Sequence, residues 1–123
     1  MRALRKIRLE LARGPGFPDG SSQHGYEFLA PLRADGHIDP EAWHGAKDKC
    51  TVRRFWQGED DSHGHLRHVG TGWLFHYDMD REPKVDEPGF RFASHVFRPR
   101  EYVSITERDG STRTFKVASV TDA

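Results

Sequence analysis

The chain has a single cysteine, no long apolar run and no excess of either charge among its 123 residues. With Cys50 alone, no internal disulfide can form. A small domain without such staples is expected in a reducing compartment, here the cytoplasm. No stretch approaches the ~20 apolar residues of a membrane helix, so no membrane partner is expected. The basic start Met1-Arg2-Ala3-Leu4-Arg5-Lys6-Ile7-Arg8 is not followed by the apolar segment that a signal peptide needs. Lys+Arg and Asp+Glu each number 19, so no global field recruits nucleic acid or an anionic surface. Zinc-finger, zincin and thiol-enzyme spacings are missing too, and Gly14-Pro15-Gly16 and Gly70-Thr71-Gly72 read as turns rather than phosphate loops. These absences lean against an enzyme and leave the question open.

What is present is aromatic and alternating. Three Trp, eight Phe and three Tyr supply enough large apolar surface for one small core, so residues 1–123 read as a single domain. The dominant period is two. Ile7, Leu9 and Leu11 alternate with charged neighbours, and the out-of-phase Leu4 predicts a start near Lys6 or a bulge. After a loop over 14–24, Tyr26, Phe28, Ala30 and Leu32 share one face of the next strand. Asp39-Pro40-Glu41 reads as a helix start, with Gly45 as its end and Trp43 as its anchor. A strand over 50–57, a polar connection over 58–70 and a strand carrying Trp73, Phe75, Tyr77 and Met79 follow. A second polar connection over 80–89 leads to a strand over 90–97. Strand patterns at 101–107 and 112–120 flank Asp109-Gly110. A three-residue loop, Asp109 to Ser111, would put Ile105 opposite Phe115, Val103 opposite Val117 and Glu107 opposite Arg113. About six to seven strands and one short helix predict an all-β domain, a small closed or partly open antiparallel barrel.

The segments Ser94-His95-Val96-Phe97-Arg98-Pro99-Arg100-Glu101-Tyr102-Val103-Ser104-Ile105, Asp109-Gly110 and Phe115-Lys116-Val117-Ala118-Ser119-Val120 carry a resemblance. Arg53-Arg54-Phe55-Trp56 and Gly58-Glu59-Asp60-Asp61 carry it too. Together they resemble a group of small bacterial all-β proteins with no assigned activity. The resemblance implies a bacterial one-domain protein and transfers no site residue.

Three sets of side chains are candidates for function. His63, His65 and His68 crowd one polar segment after Glu59, Asp60 and Asp61, and imidazoles so placed could hold a divalent metal, the one cofactor considered. Ordering a mobile loop around that ion would cost about 1–2 kcal/mol per residue, and a solvated loop is the plainer reading. His76 and His95 lie opposite the aromatic sets of their strands and would line one polar face if those strands were neighbours. Arg53 and Arg54, mixed with Phe55 and Trp56, could bind a ligand or track single-stranded nucleic acid, although the zero net charge opposes the latter. Cys50 reads as a small buried hydrophobe. The favoured expectation is a noncatalytic module binding a protein or small ligand. A metal-binding protein or metal-dependent enzyme using the histidines is the first alternative, and single-stranded nucleic-acid binding the second.

Overall fold

The computed structural model describes residues 3–70, 72–77, 91–92, 95–107 and 110–123, with backbone alone for 91–92. Among the described residues, eight antiparallel strands form a closed barrel in chain order: β1 Leu4–Leu11, β2 Ser21–Pro31, β3 Thr51–Trp56, β4 Ser62–Val69, β5 Gly72–Tyr77, β6 Arg91–Phe92, β7 Tyr102–Thr106 and β8 Thr112–Asp122. Each strand pairs with the next, and β8 returns to β1. The all-β expectation holds. The strand not foreseen is β4, which the sequence reading took for a polar connection. Its hydrophilic string, Ser62-His63-Gly64-His65-Leu66-Arg67-His68-Val69, has one strong inward anchor, Leu66, so its periodicity is almost silent.

The interior is filled as the alternation predicts. Ile7, Leu9 and Leu11 of β1 meet Tyr26, Phe28 and Ala30 of β2, with Phe75, Phe97, Ile105, Phe115 and Val117 across the barrel. An eight-stranded barrel is just wide enough for side chains to fill. Here the aromatics fill it: Tyr26 and Phe28 lie 5.1 and 5.2 Å from the Phe75 ring centre. Cys50, directly before β3, is fully buried, and burial pushes its thiol up to about 11. At that value little thiolate exists near neutrality, so the thiol acts as packing.

Several boundaries differ from expectation. β1 runs unbroken to Leu4, which packs partly against the core, and the register shift against β8 falls between Arg8 and Leu9 instead. β2 starts at Ser21, which shortens the loop before it. Leu32 leaves the strand to bridge Ile38. The helix, α1, spans Pro40–Ala46 with the Asp39 carboxylate accepting from the Glu41 and Ala42 N–H groups. Gly45 lies inside it, and a 3-10 turn over Lys47–Lys49 follows. Met79, the 80–89 connection and Asp109 fall outside the described residues. Of the strand expected over 90–97, β6 covers Arg91–Phe92, while 95–97 is not strand.

The last hairpin keeps the expected faces but not the expected partners. Val103 faces Phe115, and Ile105 faces Arg113. The Glu107 N–H donates to the Ser111 carbonyl at 2.8 Å, and the Gly110 N–H donates to the Glu107 carbonyl at 2.9 Å. The closing pair is therefore Glu107 with Ser111, one residue earlier on each strand than predicted. That step puts Gly110, at φ +88°, where a left-handed residue is required.

Candidate functional site

Inside the barrel, near one end, a polar cluster interrupts the apolar filling. Glu107 is 5% exposed and sits among Tyr26, Arg54 and Arg113. The Tyr26 hydroxyl donates to Glu107 Oε2. Arg54 Nε donates to the same oxygen at 3.1 Å, and Arg113 Nε stands 2.9 Å from Oε1. Both guanidiniums also lie over the Trp56 ring, at 4.3 and 5.3 Å. Burial, the neighbouring Tyr77 and Glu107 together push the Tyr26 phenol well above its ordinary value. Burial opposes the charge of Arg54, but Tyr26 and Glu107 outweigh it and raise that group. Every ionised group here is paired, and the cluster ties β2, β3 and β8 to the end of β7.

His24 continues this cluster. It is 6% exposed, its Nδ1 is 2.6 Å from Ser21 Oγ, and its ring meets Trp56 and Phe17 edge-on at 4.5 and 4.8 Å. Burial first, then the positive Arg54 and Arg113, push its imidazole below the ordinary value. The unfolded chain therefore takes up the proton before the folded one does. His24 contributes its full stability above about pH 6.5 and loses it as the pH falls through the lower folded value. Equilibrium unfolding should show stability dropping between about pH 7 and pH 5, with a shallower drop in His24→Asn. An unchanged slope in the variant would assign the acid sensitivity to other groups.

The outer wall carries a second network. Gly25 leaves a gap opposite Phe55, and the Phe55 ring lies against it, under Arg8 at 4.4 Å and Arg53 at 5.0 Å. Phe55 is thus buried outside the barrel while Trp56 packs inward, which divides the aromatic pair as alternation requires. Arg8 pairs with Glu10 and Glu27, Arg53 with Glu27 and Asp61, and Lys6 with Glu27. Burial works against the Glu27 charge, but Lys6 and Arg53 outweigh it and hold the carboxyl below the usual range. Cations already matched by carboxylates have little field left for phosphates, which weighs against single-strand binding on this face. Arg53 and Arg54, adjacent in sequence, thus serve different networks on opposite sides of the wall.

The histidines separate in the same way. His63 and His65 project outward from β4, whereas His68 turns in at the barrel end and stacks 4.4 Å from the Trp73 ring centre and 6.0 Å from that of Trp43. The expected three-histidine metal set does not assemble, because His68 has the opposite strand parity. Among the described residues no group of three or more His, Cys, Asp or Glu is placed to hold a metal ion. His95 is not beside His76. It lies off the strand near Ser104 and His37, and burial first, then His37, lowers its imidazole.

A different grouping forms instead. His65 of β4 directly faces His76 of β5, and both line a cleft with His68, Trp43, Lys47 and Arg67. The cleft measures about 450 Å³ and runs between the α1 helix with its 3-10 turn and the β4–β5 hairpin. Trp43 is its fixed wall: the indole N–H donates to the Leu66 carbonyl at 3.0 Å, and the ring meets Trp73 edge-on at 5.6 Å. Among the described residues, neither Lys47 nor Arg67 has a carboxylate at ion-pair distance, and Asp48 is the one acid in the lining. Sequence reasoning named all three histidines but missed Lys47 and Arg67. Its one usable signal was the helix start at Asp39-Pro40, which brings Lys47 towards the barrel.

The described residues form a small eight-stranded antiparallel barrel with a packed interior and this cleft on its outside. Compared with protein-family models, curated proteins and solved structures, the chain finds no match.

Proposed function

We propose that this protein is a noncatalytic interaction module that receives an acidic segment of a partner protein in the cleft between α1 and the β4–β5 hairpin. The observation that carries this reading is the meeting in one cleft of Trp43 and three imidazoles with Lys47 and Arg67, neither of which has a carboxylate at ion-pair distance among the described residues. Trp and Arg are the residues most enriched at the energetic centres of interfaces. Val69, 43% exposed on the rim, adds an apolar contact. A reducing cytoplasm, supported by the single buried thiol, is the proposed setting.

Titration with short synthetic peptides tests the reading, followed by amide chemical shifts. A peptide rich in Asp and Glu with one Leu should perturb Trp43, Lys47 and residues 65–69, and its affinity should fall with added salt. Charge reversal by Lys47→Glu with Arg67→Glu should weaken it at least about tenfold. Equal binding of a lysine-rich peptide, or perturbations elsewhere on the barrel, would reject the proposal.

One observation favours a second reading. Opposed side chains of an antiparallel pair have Cβ atoms about 4.5–5.5 Å apart, so His65 and His76 could chelate one zinc, nickel or copper ion. Added zinc should then raise the unfolding temperature of the native chain but not of His76→Ala. An unchanged midpoint removes the reading.

A further inference from the structure

A second concavity lies where β1 and β8 lead into the 14–17 turn. It measures about 310 Å³, at the small end for ligand sites, and its lining includes Arg13, Arg113, Ser111, Thr112, Pro15 and Phe17. No carboxylate is among the described residues that line it. The contrast with the outer wall rests on Arg13, which has no carboxylate at ion-pair distance among the described residues, whereas Arg113 is paired through Nε with the buried Glu107.

The site is held from two sides. Gly14 and Phe17 exchange backbone hydrogen bonds of 3.0 and 2.9 Å, closing a turn with Pro15 second and Gly16, at φ +80°, third. That conformation suits a type II turn, so the loop is set before any ligand arrives. Arg113 is anchored by Nε against Glu107, which does not consume its terminal nitrogens, and by its contact with Trp56. Arg13 is the exposed guanidinium of the lining. Two guanidiniums and the Ser111 and Thr112 hydroxyls in one lining suit an oxyanion, because a guanidinium meets carboxylate or phosphate oxygens in pairs. Phe17 and Pro15 supply an apolar floor for the remainder of the molecule.

We propose that this cleft binds a small organic oxyanion, a carboxylate or phosphate monoester with a flat apolar body, gripped between Arg13 and Arg113. The site shares no lining residue with the Trp43 cleft, and its fate is independent of the acidic-segment reading. Inorganic phosphate, benzoate and phenyl phosphate are the probes, each titrated into the full chain and followed by amide shifts. Benzoate or phenyl phosphate should move Gly14, Phe17 and Ser111–Thr114 more strongly than inorganic phosphate does. Whichever of the two organic probes binds more tightly identifies the head group. Arg13→Ala removes an exposed side chain outside the barrel interior, so it should leave the unfolding midpoint in place while weakening binding at least about tenfold. Arg113→Lys, which keeps the charge but loses the fork, should also weaken it. Shifts that persist unchanged in Arg13→Ala, or an organic probe that binds no better than inorganic phosphate, would overturn the proposal. So would the absence of any shift.

Discussion

Glu107→Ala is expected to cost about 3–5 kcal/mol, the usual penalty for stranding the partner of a buried ion pair. Domains of this kind have about 5–15 kcal/mol in total, so the variant should be largely unfolded or close to it. Arg54 would bear most of the loss: its side chain is 15% exposed, Glu107 is the buried carboxylate to which its Nε donates, and the carboxylate left to it among the described residues is the exposed Glu59, 3.4 Å from its Nη1. Arg113, 34% exposed, can turn towards water and loses less. Tyr26 loses its acceptor as well. Denaturant unfolding followed by near-ultraviolet circular dichroism gives the cost. A second variant separates charge stranding from simple loss of volume. Glu107→Leu combined with Arg54→Met removes both charges and keeps the space filled, and should recover much of the stability. Should Glu107→Ala lose less than about 1 kcal/mol, the cluster would not be the internal tie described above.

Gly64→Ala should be about as damaging, for a steric reason. A Cβ at this position would stand 1.9 Å from the His76 carbonyl oxygen and 2.7 Å from the Tyr77 Cα, both backbone atoms of the paired strand. Neither can swing aside, so β4 and β5 must separate where Gly64 faces Tyr77. Overpacking of a core costs about 1–3 kcal/mol when side chains can yield. Here the obstruction is backbone, and the cost should reach or exceed the top of that range. Gly45→Ala supplies the contrast. Nothing lies within 4 Å of its would-be Cβ, and it sits inside α1, so alanine there should stabilise by roughly 0.5–1 kcal/mol. Thermal melts of the two variants should move in opposite directions. A Gly64→Ala melt matching the parent would contradict the close strand approach.

The inward set on β1, β2, β5, β7 and β8 could be read from the chain because those strands carry strong apolar residues at every second position. β4 could not, since five of its eight residues are Ser, Gly or His and the inward positions include Gly64 and His68. The candidate site suffered from the same ambiguity. His63, His65 and His68 are close in sequence, but an extended strand sends two of them outward and one inward. His76, eleven residues further on than His65, is the true cross-strand neighbour. Glu107 showed the reverse: its pairing with Arg113 was expected from charge, yet nothing local signalled that Tyr26 and Arg54 would join it.

Alternation along each segment therefore determined the all-β class and the residues that turn inward, and the Asp39-Pro40 start determined the position of α1, because those properties depend on neighbours a few residues apart. The tertiary structure alone decided which strands lie side by side. It thereby decided that Glu107 is enclosed by two arginines, that His65 meets His76 and that Arg13 and Arg113 line one concavity. Such meetings depend on the stagger between strands up to a hundred residues apart. Closing the ring sets that stagger through the packing of Tyr26, Phe28, Phe75 and Phe115, and no short window of the chain contains it.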